Sequence, residues 1–222
     1  MKSCSLILAF SILAFGAGCR ESAVDQGPAA EVSDTSATVA AADTGATDAA
    51  PSGTVSRVIR ERSKIEFVGA KVTRDHNGKF NNFDGWIEYA GGQPQKISFD
   101  IDLNSIETDD EKLTGHLKTP DFFDVAKYPK ATFTSTSLTP APAGSPDGST
   151  HMLKGTLDMH GVKKDVTVPV KAQQSADGVR ATSEFTINRH DWGISYRGAA
   201  DDLIRDNVLI RLDLMFPPPP AA

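Results

Sequence analysis

Thr108–Leu138 reads TDDEKLTGHLKTPDFFDVAKYPKATFTSTSL, the one helical signal in a chain that otherwise alternates with the period of a sheet. Thr108 and Glu111 have capping-box spacing, with the hydroxyl on the first turn and the carboxylate reaching back. Asp109 and Asp110 put negative charge at the positive end of the helix. Leu113 and Leu117, at i and i+4, give one narrow apolar stripe. Thr119-Pro120 stops the helix, because the residue before proline is pushed out of the α region. Asp121 to Asp124 make a second short turn carrying Phe122 and Phe123, of which adjacency predicts that only one faces inward. Tyr128-Pro129 restores extension, and Lys130–Leu138 reads as a strand. The expectation is one helical plug set between strands.

On both sides of the plug the period is two, with turn signals between runs. Before it, Arg57–Thr73 holds Ile65 and Phe67 on one face, and Asp75-His76-Asn77-Gly78 reads as a turn. Lys79–Tyr89 follows, with a phase change near Asp84-Gly85 that suggests a bulge. Lys96–Leu103 alternates cleanly, with Ile97, Phe99, Ile101 and Leu103 on one face. After it, Met152–Met159 runs into a His160-Gly161 hairpin turn and a Val166, Val168, Val170 strand. Pro169 lacks a donor and predicts an edge or a local irregularity there. Asp177-Gly178 is the strongest hairpin signal, and Val179–Ile187 and Val208–Leu214 are the last strands. The fold class is all-β: about eight antiparallel strands with one short helical insertion. Eight strands can close into a barrel whose interior either fills with side chains or holds one small ligand.

The N-terminus differs. Lys2, the apolar run Leu6–Phe15 and Gly16-Ala17-Gly18-Cys19 read as an export signal too short to span a membrane. Small residues directly before Cys19 resemble a lipobox, so residues 1–19 are expected as a signal peptide with Cys19 as the lipidation site, a reading preferred over ordinary secretion with cleavage near Ala17 or Gly18. Residues 20–54 hold six acids against Arg20 alone, a charge of −5 out of the chain's −6, with almost no large apolar residue. Such a stretch reads as a flexible linker. The domain then covers 55–216, and 217–222 is a proline-rich tail. The net negative charge argues against a nucleic-acid partner. With Cys4 and Cys19 the only cysteines, the domain has no disulfide framework, thiol nucleophile or thiolate metal site.

The motifs taken in order resemble the YceI-like family of lipid- and polyisoprenoid-binding proteins. They are Ser63–Phe67, His76 with Gly78-Lys79-Phe80, Phe83-Asp84-Gly85, Ser105-Ile106, and His116-Leu117 with Asp121–Asp124 and Tyr128-Pro129. Gly155-Thr156-Leu157 with His160-Gly161-Val162, Asn188-Arg189, Asp191–Ile194 and Asp206–Leu212 complete the series. The resemblance implies a lipocalin-like barrel enclosing a long isoprenoid, an isoprenoid quinone or a fatty-acid-like lipid, with no other cofactor. It implies a non-enzymatic binding or carrier protein of the bacterial envelope. The tether and lipid anchor on Cys19, read from the N-terminal signal, are extra to the family's soluble periplasmic form and place the chain in the periplasm or at the outer membrane. The alternative is a tethered, stress-related interaction module with a packed barrel. Oligomeric state is left open, a dimer included.

On that reading the barrel lining is Ile65, Phe67, Phe80, Ile97, Phe99, Ile101, Phe133, Leu157, Phe185, Ile187, Val208, Ile210 and Leu212. Leu117, Phe122, Phe123, Arg189 and Trp192 form the lid and mouth. Arg189 and Asp191 admit two roles, a headgroup clamp or a structural ion pair near a strand end, and the second is preferred. His76, His116, His151, His160 and His190 lack ligand spacing, so no metal is expected. No serine sits in a nucleophile elbow and no carboxylate pair shares a cleft, so no catalytic residue is assigned.

Overall fold

A computed structural model describes residues 22–35, 54–145, 147–200 and 202–219. The signal peptide, Cys19, residues 36–53 of the linker and the last three residues of the tail lie outside the described residues. β1 (Glu31–Asp34) and β2 (Thr54–Arg57) come first. β3 (Lys64–Ala70) and β4 (Asp75–Phe80) pair, as do β5 (Phe83–Ala90) and β6 (Gln93–Asp102). β7 (Ile106–Thr108) leads into α1 (Glu111–Leu117), the one α-helix among the described residues. β8 (Lys130–Pro140), β9 (His151–Met159), β10 (Val162–Ser175) and β11 (Gly178–Asn188) form a meander. The two-residue strands β12 (Gly198–Ala199) and β13 (Asp202–Leu203) pair with each other, and β14 (Asn207–Phe216) ends the sheet.

The strands run antiparallel in the order β2-β5-β6-β8-β9-β10-β11-β14-β3-β4-β7, and the sheet curls strongly into a half-barrel. Two apolar clusters fill its concave side. One gathers Leu103, Phe122, Phe185, Ile187 and Trp192, the other Ile65, Phe83, Phe99 and Phe216. Phe80, Ile101, Phe133 and Leu212 pack against both and join them.

Some local expectations are corrected. Asp75–Gly78 is strand, not turn: Phe67 pairs with Gly78 and Gly69 with His76. The alternation was hidden because the buried positions of β4 carry His76 and Gly78 instead of large apolar residues. The phase change near Asp84 comes from the corner Asn81-Asn82 between β4 and β5, and the register shift of β5 against β6 lies at Glu88/Tyr89. The helix is capped by Asp110, whose carboxylate accepts from the Lys112 and Leu113 N–H groups at 2.9 and 3.2 Å. Thr108 instead meets Thr114, which accepts from its N–H at 2.9 Å. Pro169 does mark an irregularity. There β10 leaves β9, its partner through Val170, and pairs with β11 from Lys171 onward.

That change of partner splays β10 from β11 and leaves two open edges. The segment 22–35, expected as part of a flexible linker, closes them. β1 pairs with Lys164–Thr167 of β10. Just before it, Ala30 N–H donates to Thr186 and Thr186 N–H donates to Pro28, both at 2.8 Å. Ala30 and Val32 pack onto the interior cluster, while Val24, 1% exposed, sits on Val68, Ala70 and Leu209. Pairing of this kind uses backbone groups, so it needs few large side chains and leaves little trace in composition. Burying Val24 is worth about 2 kcal/mol. Val24→Asp should therefore release the segment without unfolding the sheet, seen as faster hydrogen exchange at Ala30 and Thr186 with exchange in β9 unchanged.

Candidate functional site

The plug closes the end of the half-barrel formed by Ala70, Asn188 and Asn207. Its chain path is stapled by the backbone: Phe122 N–H donates to Thr119, Phe123 N–H to Leu117, and Val125 N–H to Lys118, at 3.0 to 3.1 Å. Asp124 takes a positive φ of 45° to make this turn. The same end carries the His160-Gly161 turn, with φ of 54° and 75°, as a type I′ hairpin requires. Tyr128 lies where a Cβ on Gly161 would be.

Beneath the plug is a cavity of about 140 Å³ with an almost wholly apolar lining. Phe67 and Gly69 of β3, Ile187 of β11, and Val208 and Ile210 of β14 form its walls. Leu113, Leu117, Phe122 and Phe123 cover it. Phe80 lies between Phe67 and Phe123, with ring centroids 5.6 and 6.1 Å away. Both phenylalanines of the plug thus line one space, against the expectation that only one would face inward. The volume is below the roughly 300 Å³ at which small-molecule pockets usually begin. A larger trough of about 480 Å³ lies elsewhere, but it is lined by charged residues including Glu66, Glu184, Arg211 and Asp213.

Of the predicted lining, Phe67, Phe80, Ile187, Val208 and Ile210 reach the cavity. Ile65, Ile97, Phe99, Ile101, Phe133, Leu157, Phe185 and Leu212 belong to the packed clusters instead. Three rings are stowed against glycines on neighbouring strands: Phe67 on Gly78, Phe99 on Gly85 and Phe133 on Gly155. Leu117, Phe122, Phe123 and Arg189 line the cavity, whereas Trp192 is 0% exposed and not at the mouth. Its indole N–H donates to Leu157 O at 3.2 Å, so it is core. The sequence reading missed Met159, His76, Ile194 and Ile204. Met159 lies two residues beyond Leu157, already assigned inward, and so shares its face, whereas Ile194 and Ile204 lie outside any periodic run.

Arg189, 5% exposed, is the buried cation of the site. Its Nη1 donates to Ile194 O at 2.8 Å, Nε to Arg205 O at 3.1 Å, and Nη2 to Ile204 O at 3.4 Å, with Asp206 at 3.5 Å. The guanidinium cinches the loop between residues 189–192 and β14, a structural role, but its carboxylate neighbour is Asp206 and not the expected Asp191. Burial lowers its pKa, and Asp206 opposes that.

His76 is buried at the cavity wall, and its Nε2 accepts from Arg74 Nε at 3.0 Å. Its Nδ1 then faces Asp109 at 2.9 Å. Burial pushes the Asp109 carboxyl up, but bonds from His76 and the Asn77 N–H outweigh it and hold its pKa below the ordinary value. Its stabilising contribution is therefore complete above the ordinary carboxylate pKa and is lost as pH falls through the depressed one. His116 meets Asp121 at 2.9 Å, His190 meets Asp206 at 2.7 Å, and His160 meets Trp192 O at 3.0 Å. Among the described residues no three of these side-chain types come together as a metal site.

An apolar chamber inside a curled antiparallel sheet, plugged at one end, defines a binding-type fold. The chain belongs to the YceI-like family, whose domain matches residues 57–216. Protein YceI of Salmonella arizonae and that of Salmonella newport are each 34% identical to it over 126 residues, which is 53% of this chain and 63% of theirs. The chain thus matches less than two thirds of these relatives' length. BcnA of Burkholderia cenocepacia superposes with a TM-score of 0.61 at 24% identity, covering 71% of this chain and 98% of BcnA. A polyisoprenoid binding domain of Saccharophagus degradans implicated in plant cell wall breakdown gives 0.59 at 23%, covering 74% and 98%. These two structures share the fold.

Two substitutions test the site's construction. Gly78→Ala would drive the Phe67 ring off its glycine toward the cavity, at a cost of about 1–3 kcal/mol, measurable by denaturant unfolding. Arg189→Met leaves the Ile194 and Arg205 carbonyls without their donor. It should lower the melting temperature and speed exchange within residues 194–206 ahead of the rest of the sheet.

Proposed function

We propose that the chain is a non-enzymatic carrier for a long apolar amphiphile, such as a polyisoprenoid or an isoprenoid quinone, in the bacterial envelope. The observation that carries this reading is the apolar chamber under the plug, whose buried cation spends its donors on the protein's own carbonyls. A site so built holds a hydrocarbon by burial, about 25 cal/mol per Å² of apolar surface removed from water, and offers no polar constellation for bond making. The polyisoprenoid-binding description of the Saccharophagus degradans domain supports the same ligand class. A chain longer than one or two isoprene units needs more room than about 140 Å³. The plug rings of Phe122 and Phe123 are the groups whose movement would supply it, since the Phe67 ring is already stowed on Gly78. Export on the N-terminal signal and lipidation at Cys19 complete the proposal, placing the protein in the periplasm or at the outer membrane.

The small volume favours a second reading, a packed barrel displayed as an interaction module with no ligand. Organic extraction of the full chain purified from its native envelope, followed by mass spectrometry, separates the two. A stoichiometric amphiphile is expected, and Phe122→Ala with Phe123→Ala should shorten its retention. Recovery of none, together with no uptake of added polyprenol or ubiquinone, leaves the packed module.

A further inference from the structure

Among the described residues the exposed large apolar side chains are Val72 at 69%, Leu203 at 47% and Tyr196 at 37%. All three adjoin the cavity. Val72 follows Lys71 and Leu203 precedes Ile204, both lining residues, and the Tyr196 ring lies 5.2 Å from that of Phe122. Val72, just after β3, and Leu203, in β13, are tied together. Val72 N–H donates to Leu203 O at 3.1 Å, Thr73 Oγ1 donates to Asp202 at 2.9 Å, and Lys71 pairs with Asp202 at 3.2 Å. The apolar tips are therefore held out by a braced support. Apolar groups grouped beside a cavity opening mark a contact surface more than scattered ones do.

The N-terminal segment leaves from the same rim. Ser22 Oγ donates to Asp75 at 2.6 Å, and Asp25 pairs with Arg205 at 2.6 Å, one residue from Ile204. Cys19 is three residues before Ser22 in sequence, a reach of at most about 10 Å. Three ion pairs lie along the rim, Lys71 with Asp202, Arg74 with Asp110 and Arg205 with Asp25, so these charges are matched within the protein and leave the apolar tips to make the contact.

We infer that this rim is a membrane-docking face: Val72 and Leu203 seat in the interfacial layer of a lipid bilayer and hold the opening of the cavity against it. The inference rests on the carrier reading for its purpose, since a lipid tail would then pass between bilayer and cavity without crossing water. The Asp177-Gly178 turn lies at the far end of β11 and β14, roughly 30 Å away at the strand rise, and faces the aqueous side.

The full chain, purified from the envelope and reconstituted into phosphatidylethanolamine/phosphatidylglycerol vesicles, carries an NBD label either at Val72→Cys or at Asp177→Cys. Doxyl lipid should quench the label at 72 several-fold more than the label at 177. Equal quenching at both positions overturns the docking face, as does shielding of position 72 by a second copy of the chain without lipid. Polyprenol uptake from detergent micelles is measured on the same samples. Quenching at 72 without uptake removes the carrier reading and keeps the face, while uptake with an unquenched 72 does the reverse. Val72→Asp with Leu203→Asp should slow polyprenol transfer from vesicles roughly tenfold or more and leave micelle uptake unchanged. Unchanged vesicle transfer in that variant overturns the inference.

Discussion

The inner face of the sheet is organised by phenylalanine rings that fill the space beside glycines on neighbouring strands. Gly78, Gly85 and Gly155 each leave a space where a Cβ would stand, and Phe67, Phe99 and Phe133 occupy it from the neighbouring strand. A glycine in a strand ordinarily weakens it, because nothing packs there. Here the missing side chain is replaced by a ring from next door, which recovers the burial and draws the strands together. The rings are also held against the wall and out of the middle. Whether the interior is a packed core or a chamber comes down to these three contacts and to the plug above them.

The plug has the opposite character. Its rings point into the same space from above, and its backbone is tied by consecutive turns from Leu117 to Tyr128. Asp110 caps the short helix that brings Leu113 and Leu117 to the cavity. His116, Phe122 and Tyr196 then stack in a cluster with centroids 5.0 to 5.2 Å apart. Aromatic contacts of this edge-on kind contribute modestly beyond the area they bury. A cover held partly by ring contacts can shift without breaking the ladder beneath it.

Much of the fold was legible because alternation is a direct record of one buried face. Lys96–Leu103 and Val208–Leu214 could be placed residue by residue. What stayed hidden has a physical cause in each case. β4 buries a histidine and a glycine, so its period is present but not hydrophobic. Residues 22–35 join the wall by main-chain bonds, which composition does not register. The lining of the cavity was legible in part, since the apolar strands that carry Phe67, Ile187, Val208 and Ile210 were identified. Periodicity names the face but not the height along the barrel, so Phe99 and Phe185 could not be told from Phe67 and Ile210. Ile194 and Ile204 are brought in by the loop that Arg189 gathers, and nothing local to them announces it.

The family's domain match begins at residue 57, yet residues 22–35 are already part of the folded unit. A fragment cut at the recognised boundary would keep every long strand and lose the piece that seals the splay between β10 and β11. Two strand edges would then face water beside the newly bared Val68, Ala70 and Leu209. Open edges beside apolar surface are what drive one chain to borrow a strand from another. Self-association in such a fragment would thus report on the cut, and residues 22–35 act as the molecule's own guard against it.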